Sequence, residues 1–227
     1  MFDLKKLIEQ EKFVLYVVTD DKFLPQSANK KDISKIKEIV RRCKDGGAKI
    51  LQYRAKKLDM FIQLKQAEEM KYECEKEGIF FFINDRADLA YIIGENKIHI
   101  GQEDIPPEKI KEKFKDFVIG FSTHNISQVK EAMKKKHLLN YISFGPIFKT
   151  KTKENPYPAT GIENLKRAVK ISELPVVAIG GINYNNIDKV VKAGARVAAS
   201  ISYILENPKE IEKRSQKIIK KALENIN

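Results

Sequence analysis

Short, nearly unbroken apolar runs rich in β-branched and aromatic residues recur along the chain, most clearly at residues 13–18, 79–83 and 117–121. Each ends at a polar cluster, and each is followed by a stretch with helical periodicity. A run that is apolar at successive positions, without alternation, belongs to a strand buried on both faces, as in a parallel sheet covered by helices. Runs of this kind start near residues 13, 48, 79, 97, 117, 139, 175 and 197, each with a helix after it. Repeated βα units in 227 residues predict an α/β fold, a single (β/α)8 barrel domain over residues 1–227. Residues 2–12 add a short amphipathic N-terminal helix. No Pro-, Ser- or Gly-rich linker interrupts the pattern, and a hydrophobic content of 42% is ample for one core.

Cys43 and Cys74 both lie in helical patterns with neither disulfide nor zinc spacing, which fits a reducing compartment. No apolar run approaches the length of a membrane span, and Met1-Phe2-Asp3 begins no secretory signal, so a cytoplasmic protein without membrane attachment is expected. The formal net charge of +12 admits nucleic acid, a membrane surface or small anions as partners. The lysines are interleaved with glutamates along helices, as in residues 68–77, which reads as ion-paired solvent faces. No basic–aromatic interleaving supports nucleic-acid binding, so small phosphorylated molecules are the expected partners.

The ends of the strand-like runs carry the chemistry. After the run at 139–144, Gly145-Pro146 stops extended structure, and Thr150 and Thr152 alternate with Lys149, Lys151 and Lys153. Hydroxyls and ammonium groups so closely spaced grip phosphate oxygens, or else form a solvated loop. Residues 155–161 lengthen that loop to the size of a lid. Gln52, Arg54 and Lys56 share one face by period two, as an edge strand or as an anion clamp. Asn84 and Asp85 end the run at 79–83, either as a helix cap or as a substrate amide beside a Mg²⁺ ligand, and Asp104 is a second candidate for the same ion. His99 reads as a hydrogen-bonded structural residue, and Ser122 as a hydroxyl donor to phosphate. Gly120-x-Ser122-x-His124 lacks the second glycine of a nucleophile elbow. Gly180-Gly181 and Ile201-Ser202 close the last two runs, where exposed backbone N–H groups ahead of a helix make a phosphate site. Asp32 is the expected N-cap of the helix at 32–45.

Taken in order, Leu15-Tyr16-Val17-Val18-Thr19-Asp20, Gln52-x-Arg54-x-Lys56, Asn84-Asp85, His99-Ile100-Gly101-Gln102-Glu103-Asp104, Gly120-x-Ser122-x-His124, Gly145-Pro146-Ile147-Phe148-x-Thr150-x-Thr152-Lys153, Gly180-Gly181-Ile182 and Ile201-Ser202 resemble the thiamin-phosphate synthase (thiamine-phosphate pyrophosphorylase) family over almost the whole chain. The resemblance implies joining 4-amino-2-methyl-5-pyrimidinylmethyl diphosphate to 4-methyl-5-(2-hydroxyethyl)thiazole phosphate, with release of pyrophosphate. It also implies that Gln52, Arg54, Lys56, Asn84, Ser122 and Lys153 hold the pyrimidine diphosphate, with Arg54, Lys56, Ser122 and Lys153 acting in catalysis. By the same resemblance Asp85 and Asp104 bind Mg²⁺, while Thr150, Thr152, Gly181, Ile201 and Ser202 hold the thiazole phosphate. Residues 193–199 depart from the family's usual Gly-Ala-Asp-Gly-Val before the last strand. A sister family of thiazole tautomerases shares the fold and uses a histidine at the position of His124. A non-catalytic barrel that binds a phosphorylated ligand is the alternative from a different class, and the sequence leaves a homo-oligomer open.

Overall fold

A computed structural model describes residues 2–150 and 157–226. Chain order gives α1 (Leu4–Glu11), β1 (Val14–Val18), α2 (Lys30–Asp45), β2 (Ile50–Tyr53), α3 (Met60–Glu77) and β3 (Phe80–Asn84). Then follow α4 (Ala87–Ile92), β4 (Lys97–Ile100), α5 (Pro107–Lys113), β5 (Val118–Thr123), α6 (Ile126–Lys134) and β6 (Tyr141–Phe144). The chain ends with α7 (Gly161–Ile171), β7 (Val176–Ile179), α8 (Ile187–Lys192), β8 (Val197–Ser200), α9 (Ser202–Leu205) and α10 (Ile211–Leu223). The strands form a closed barrel in sequence order. Every pairing is parallel, and β8 closes on β1 through Val14–Val197 and Tyr16–Ala199. This is the expected (β/α)8 fold with its N-terminal helix.

All residues of β1 are buried, which explains the unbroken apolar run. Val14, Tyr16 and Val18 pack inside the barrel with Ile50, Phe82, Tyr141 and Val177. Leu15 and Val17 point outwards into the larger cluster shared with the helices. Each large side chain so buried contributes about 1.5–3 kcal/mol relative to exposure. Helix α1 covers the N-terminal end of the barrel. Its N-cap Asp3 accepts from Lys5 N and Lys6 N, and Leu4 and Leu7 face inwards. Phe2 packs edge-to-face on Phe80 at 4.9 Å and on Phe82 at 5.1 Å. The N-terminal end is therefore closed by apolar side chains, and the C-terminal end is left for ligands.

Several element ends differ from the sequence expectation. Asn29, not Asp32, caps α2: its Oδ1 accepts from Asp32 N at 2.9 Å, which puts Asp32 in the first turn. Strand β5 continues through Ser122 and Thr123, because both pair with β6. Helix α8, which the sequence pattern would start at Asn183, starts at Ile187 because Asn183 and Asn186 form a side-chain-bonded turn first, with Asn186 Oδ1 accepting from Asn183 N at 2.8 Å. The altered segment ahead of β8 does not disturb closure. Arg196 Nη1 donates to Val191 O at 3.1 Å, and the Arg196 carbonyl accepts from Val14 N at 2.9 Å. Among the described residues no helix is long and apolar enough to cross a membrane.

Candidate active site

A cavity of about 290 Å³ opens at the C-terminal ends of the strands. One side presents Gln52, Arg54, Asn84 and Ser122; the other presents Thr150, Gly181, Ile201 and Ser202. The two groups assigned to different phosphorylated ligands thus face one space. Thr152 and Lys153 lie outside the described residues.

The basic side is braced by acids of the β1 exit. Arg54 Nη1 donates to Asp20 Oδ2 at 2.6 Å, and the pair is largely buried. The Arg54 backbone N–H donates to Thr19 Oγ1 at 2.7 Å, while the same hydroxyl donates to Arg54 O at 3.1 Å. Asp21 collects the backbone N–H groups of Lys56, Lys57 and Leu58 at 2.8–3.2 Å. Burial alone would push the Asp21 carboxyl up, but these N–H bonds outweigh it and hold the group below the usual carboxylate range. The loop after β2 is therefore pinned before Lys56 reaches out.

Lys56 Nζ pairs with Asp85 Oδ2. Asp85 sits at φ +61°, a left-handed conformation that a non-glycine residue adopts only where its surroundings impose it. Here its N–H is tied to His99 O at 2.8 Å. Asp104 Oδ2 accepts from Gly101 N at 2.6 Å. Burial, and next the Asp85 carboxylate within hydrogen-bonding reach, hold the Asp104 carboxyl above its ordinary range. Two carboxylates pressed together are a donor pair for a hard divalent cation that takes its remaining ligands from phosphate oxygens and water. Among the described residues no larger group of His, Cys, Asp and Glu converges.

On the far side, Gly181 has φ +66°, and a Cβ there would lie 2.7 Å from Lys149 O. The loop after β7 thus lies directly on the backbone leading to Thr150. Asn183 Nδ2 and Asn186 Nδ2 both donate to the Gly181 carbonyl, at 3.1 and 2.9 Å. His124 also lines the cavity. Its Nδ1 donates to Gly145 O at 2.7 Å, and its ring stacks on Tyr157 at 3.9 Å.

With this geometry in view, the comparisons with known proteins converge. Residues 15–204 match the family model described as thiamine monophosphate synthase. The chain belongs to this family. It is 38% identical to a thiamine-phosphate synthase of Dictyoglomus turgidum over 95% of this chain and 92% of that protein. A thiamine-phosphate synthase of Persephonella marina is 37% identical over 93% of this chain and 98% of that protein. Among solved structures, thiamine phosphate pyrophosphorylase from Pyrococcus furiosus superposes with a TM-score of 0.80 at 28% identity, covering 96% of this chain and all of that one. Membership makes the chain an enzyme of the transferase class.

In the polar floor of the cavity, sequence reasoning found Gln52, Ser122 and His99, the last as a hydrogen-bonded structural residue, and missed Tyr16 and Tyr141. Gln52 Nε2 donates to Tyr16 Oη at 2.7 Å, and Tyr16 Oη lies 2.9 Å from Tyr141 Oη. Tyr141 Oη lies 3.0 Å from His99 Nδ1, and His99 Nε2 lies 2.9 Å from Ser122 Oγ. The signal was present: Tyr16 falls in phase with Val14 and Val18, the inward positions of its strand.

Proposed function

We propose that this chain is a thiamin-phosphate synthase that couples 4-amino-2-methyl-5-pyrimidinylmethyl diphosphate with 4-methyl-5-(2-hydroxyethyl)thiazole phosphate. The observation that carries the reading is one cavity lined by both residue sets, the first from β2 and its exit, β3 and β5 and the second from the exits of β6, β7 and β8. Gln52, Arg54, Asn84 and Ser122 stand opposite Thr150, Gly181, Ile201 and Ser202. Two phosphorylated substrates bound by these two sets would bring their reacting atoms together between them, converting a bimolecular encounter into a positioned one.

In this reading the bond between the pyrimidine methylene carbon and the diphosphate oxygen breaks first, and its electron pair leaves on the oxygen. The methylene cation is stabilised by the ring amino group, and the thiazole nitrogen lone pair then forms the new C–N bond. No proton has to move to complete the exchange, so the Ser122–His99 hydrogen bond orients a hydroxyl and is not needed to activate a nucleophile. The residues act on the charge that builds on the leaving diphosphate. Arg54 is aimed by Asp20. Lys56 is carried on the loop pinned by Asp21. Ser122 offers a hydroxyl, and Lys153 would add a second ammonium group. The Asp85–Asp104 pair fits Mg²⁺: burial and the adjacent Asp85 carboxylate hold the Asp104 carboxyl above its ordinary range, as expected where a divalent charge would sit. When bound, the ion would neutralise diphosphate charge.

The test is to mix purified protein with both substrates and Mg²⁺ and to follow thiamin phosphate and pyrophosphate. Stoichiometric formation of both products, abolished by EDTA and restored by Mg²⁺, is expected. No product with both substrates verified would remove the reading.

A further inference from the structure

On the floor of the cavity five side chains from five strands join end to end. Gln52 meets Tyr16, Tyr16 meets Tyr141, Tyr141 meets His99 and His99 meets Ser122. Gln52, Tyr16, Tyr141 and His99 are all buried, at 3%, 1%, 0% and 8% exposure, so bulk water does not compete for these bonds. Burial drives both phenols well above their ordinary range, so each keeps its proton and serves as one donor and one acceptor. In such a chain the proton positions are not independent: fixing one bond fixes them all.

We infer that Gln52 polarises this chain, so that its amide orientation decides whether the Ser122 hydroxyl donates or accepts in the cavity. The amide Nε2 has hydrogens and no lone pair to offer, so Tyr16 Oη accepts from it. Tyr16 then donates to Tyr141, and Tyr141 donates to His99 Nδ1. His99 therefore carries its proton on Nε2 and donates to Ser122 Oγ. The Ser122 proton is released from the chain and points to a ligand. Ser143 Oγ lies 3.4 Å from both Ser122 Oγ and His99 Nε2, farther than the 2.9 Å contact between those two atoms. Turning the amide end for end reverses every bond. Ser122 then gives its proton to His99, and only lone pairs face the cavity.

The consequence rests on the function proposed above. With Nε2 engaged, Gln52 Oε1 is an acceptor at one end of the chain, and Ser122 is a donor at the other. A ring amino group and a diphosphate oxygen are the matching pair. Recognition of the ring at Gln52 is thereby coupled to donation toward the leaving group at Ser122, and Tyr16, Tyr141 and His99 are positioning residues for that donor.

The experiment is ¹⁵N NMR of histidine-labelled full-length protein without ligand, which separates the two imidazole tautomers and the doubly protonated ring. His124 is an internal reference of opposite sense, because its Nδ1 donates to a carbonyl. His124→Gln and His137→Gln variants supply the assignment. His99 in the Nε2–H form is expected; the Nδ1–H form or the doubly protonated ring would overturn the polarity. In Gln52→Leu and Tyr16→Phe the second tautomer of His99 should appear, and an unchanged single tautomer in both would overturn the control by Gln52. In the coupling assay Tyr16→Phe should lower kcat roughly tenfold with little change in KM for the thiazole phosphate; a change confined to that KM would remove the link to Ser122. The spectra need no substrate, so the polarity stands or falls separately from the coupling activity.

Discussion

Gly120 and Tyr141 are direct neighbours in the β5–β6 ladder, and a Cβ at Gly120 would lie 2.1 Å from Tyr141 Cζ and 2.6 Å from His99 Nδ1. The glycine of the Gly120-x-Ser122-x-His124 string is there to make room for the Tyr141–His99 hydrogen bond, not to form a turn. Gly120→Ala should destabilise the protein by about 1–3 kcal/mol through overpacking, read as a lower denaturant midpoint. It should also lower coupling activity, because Tyr141 must move away from His99. An unchanged midpoint would mean that the floor of the cavity yields more easily than its close packing indicates.

Asp85 and Asp104 present adjacent carboxylates whose mutual repulsion is partly offset, among the described residues, by the Gly101 N–H and the Lys56 ammonium group. Asp104→Asn should therefore keep or raise the melting temperature in EDTA while losing the rise that millimolar Mg²⁺ gives the parent protein. Coupling activity should fall by at least a hundredfold. The comparison is made by differential scanning fluorimetry with and without Mg²⁺. A variant with full activity and an unaltered Mg²⁺ response would remove the metal assignment.

His124 donates through Nδ1 to Gly145 O and lies flat against Tyr157, so it braces the β6 exit. His124→Ala should reduce coupling by less than tenfold, with the loss mainly in KM for the thiazole phosphate. Loss of all turnover in a folded variant, measured by circular dichroism alongside the assay, would instead make this ring an acid or base, as in the tautomerase reading.

The barrel was legible because both-face burial writes its strands as unbroken apolar runs, and the polar residues that end those runs fall at the barrel mouth. Gln52, Arg54, Asn84 and Ser122 were visible for that reason. What stayed hidden were contacts between strands far apart in sequence. Tyr16 and Tyr141 read as ordinary apolar-run residues, yet their hydroxyls meet across 125 positions of chain. Asp20 and Asp21 also follow an apolar run, but a carboxylate that holds a neighbouring loop looks in sequence like any turn acid. Asn29 displaced Asp32 as the cap of α2 because competing Asn and Asp residues three apart are not ranked by type alone.

Asp21 shows how much such a hidden contact controls. Its carboxylate satisfies the backbone N–H groups of Lys56, Lys57 and Leu58, so it fixes the loop that carries Lys56 without touching a ligand. In Asp21→Asn the amide oxygen can keep the place of Oδ1, but an –NH2 group replaces Oδ2 and faces the Lys56 N–H, and the negative charge is lost. Stability at pH 7 should fall by about 1 kcal/mol, below the usual range for charged hydrogen bonds because the group is partly exposed. KM for the pyrimidine diphosphate should rise several-fold while KM for the thiazole phosphate holds. The folded-state pKa of Asp21 is depressed, so its contribution is present above the ordinary carboxylate range and is lost as pH falls through the depressed value. Urea titrations of the parent protein and Asp21→Asn should therefore differ at pH 7 and converge on acidification below about pH 4. A stability difference that persists undiminished at low pH would show that the aspartate acts by packing rather than by its charge.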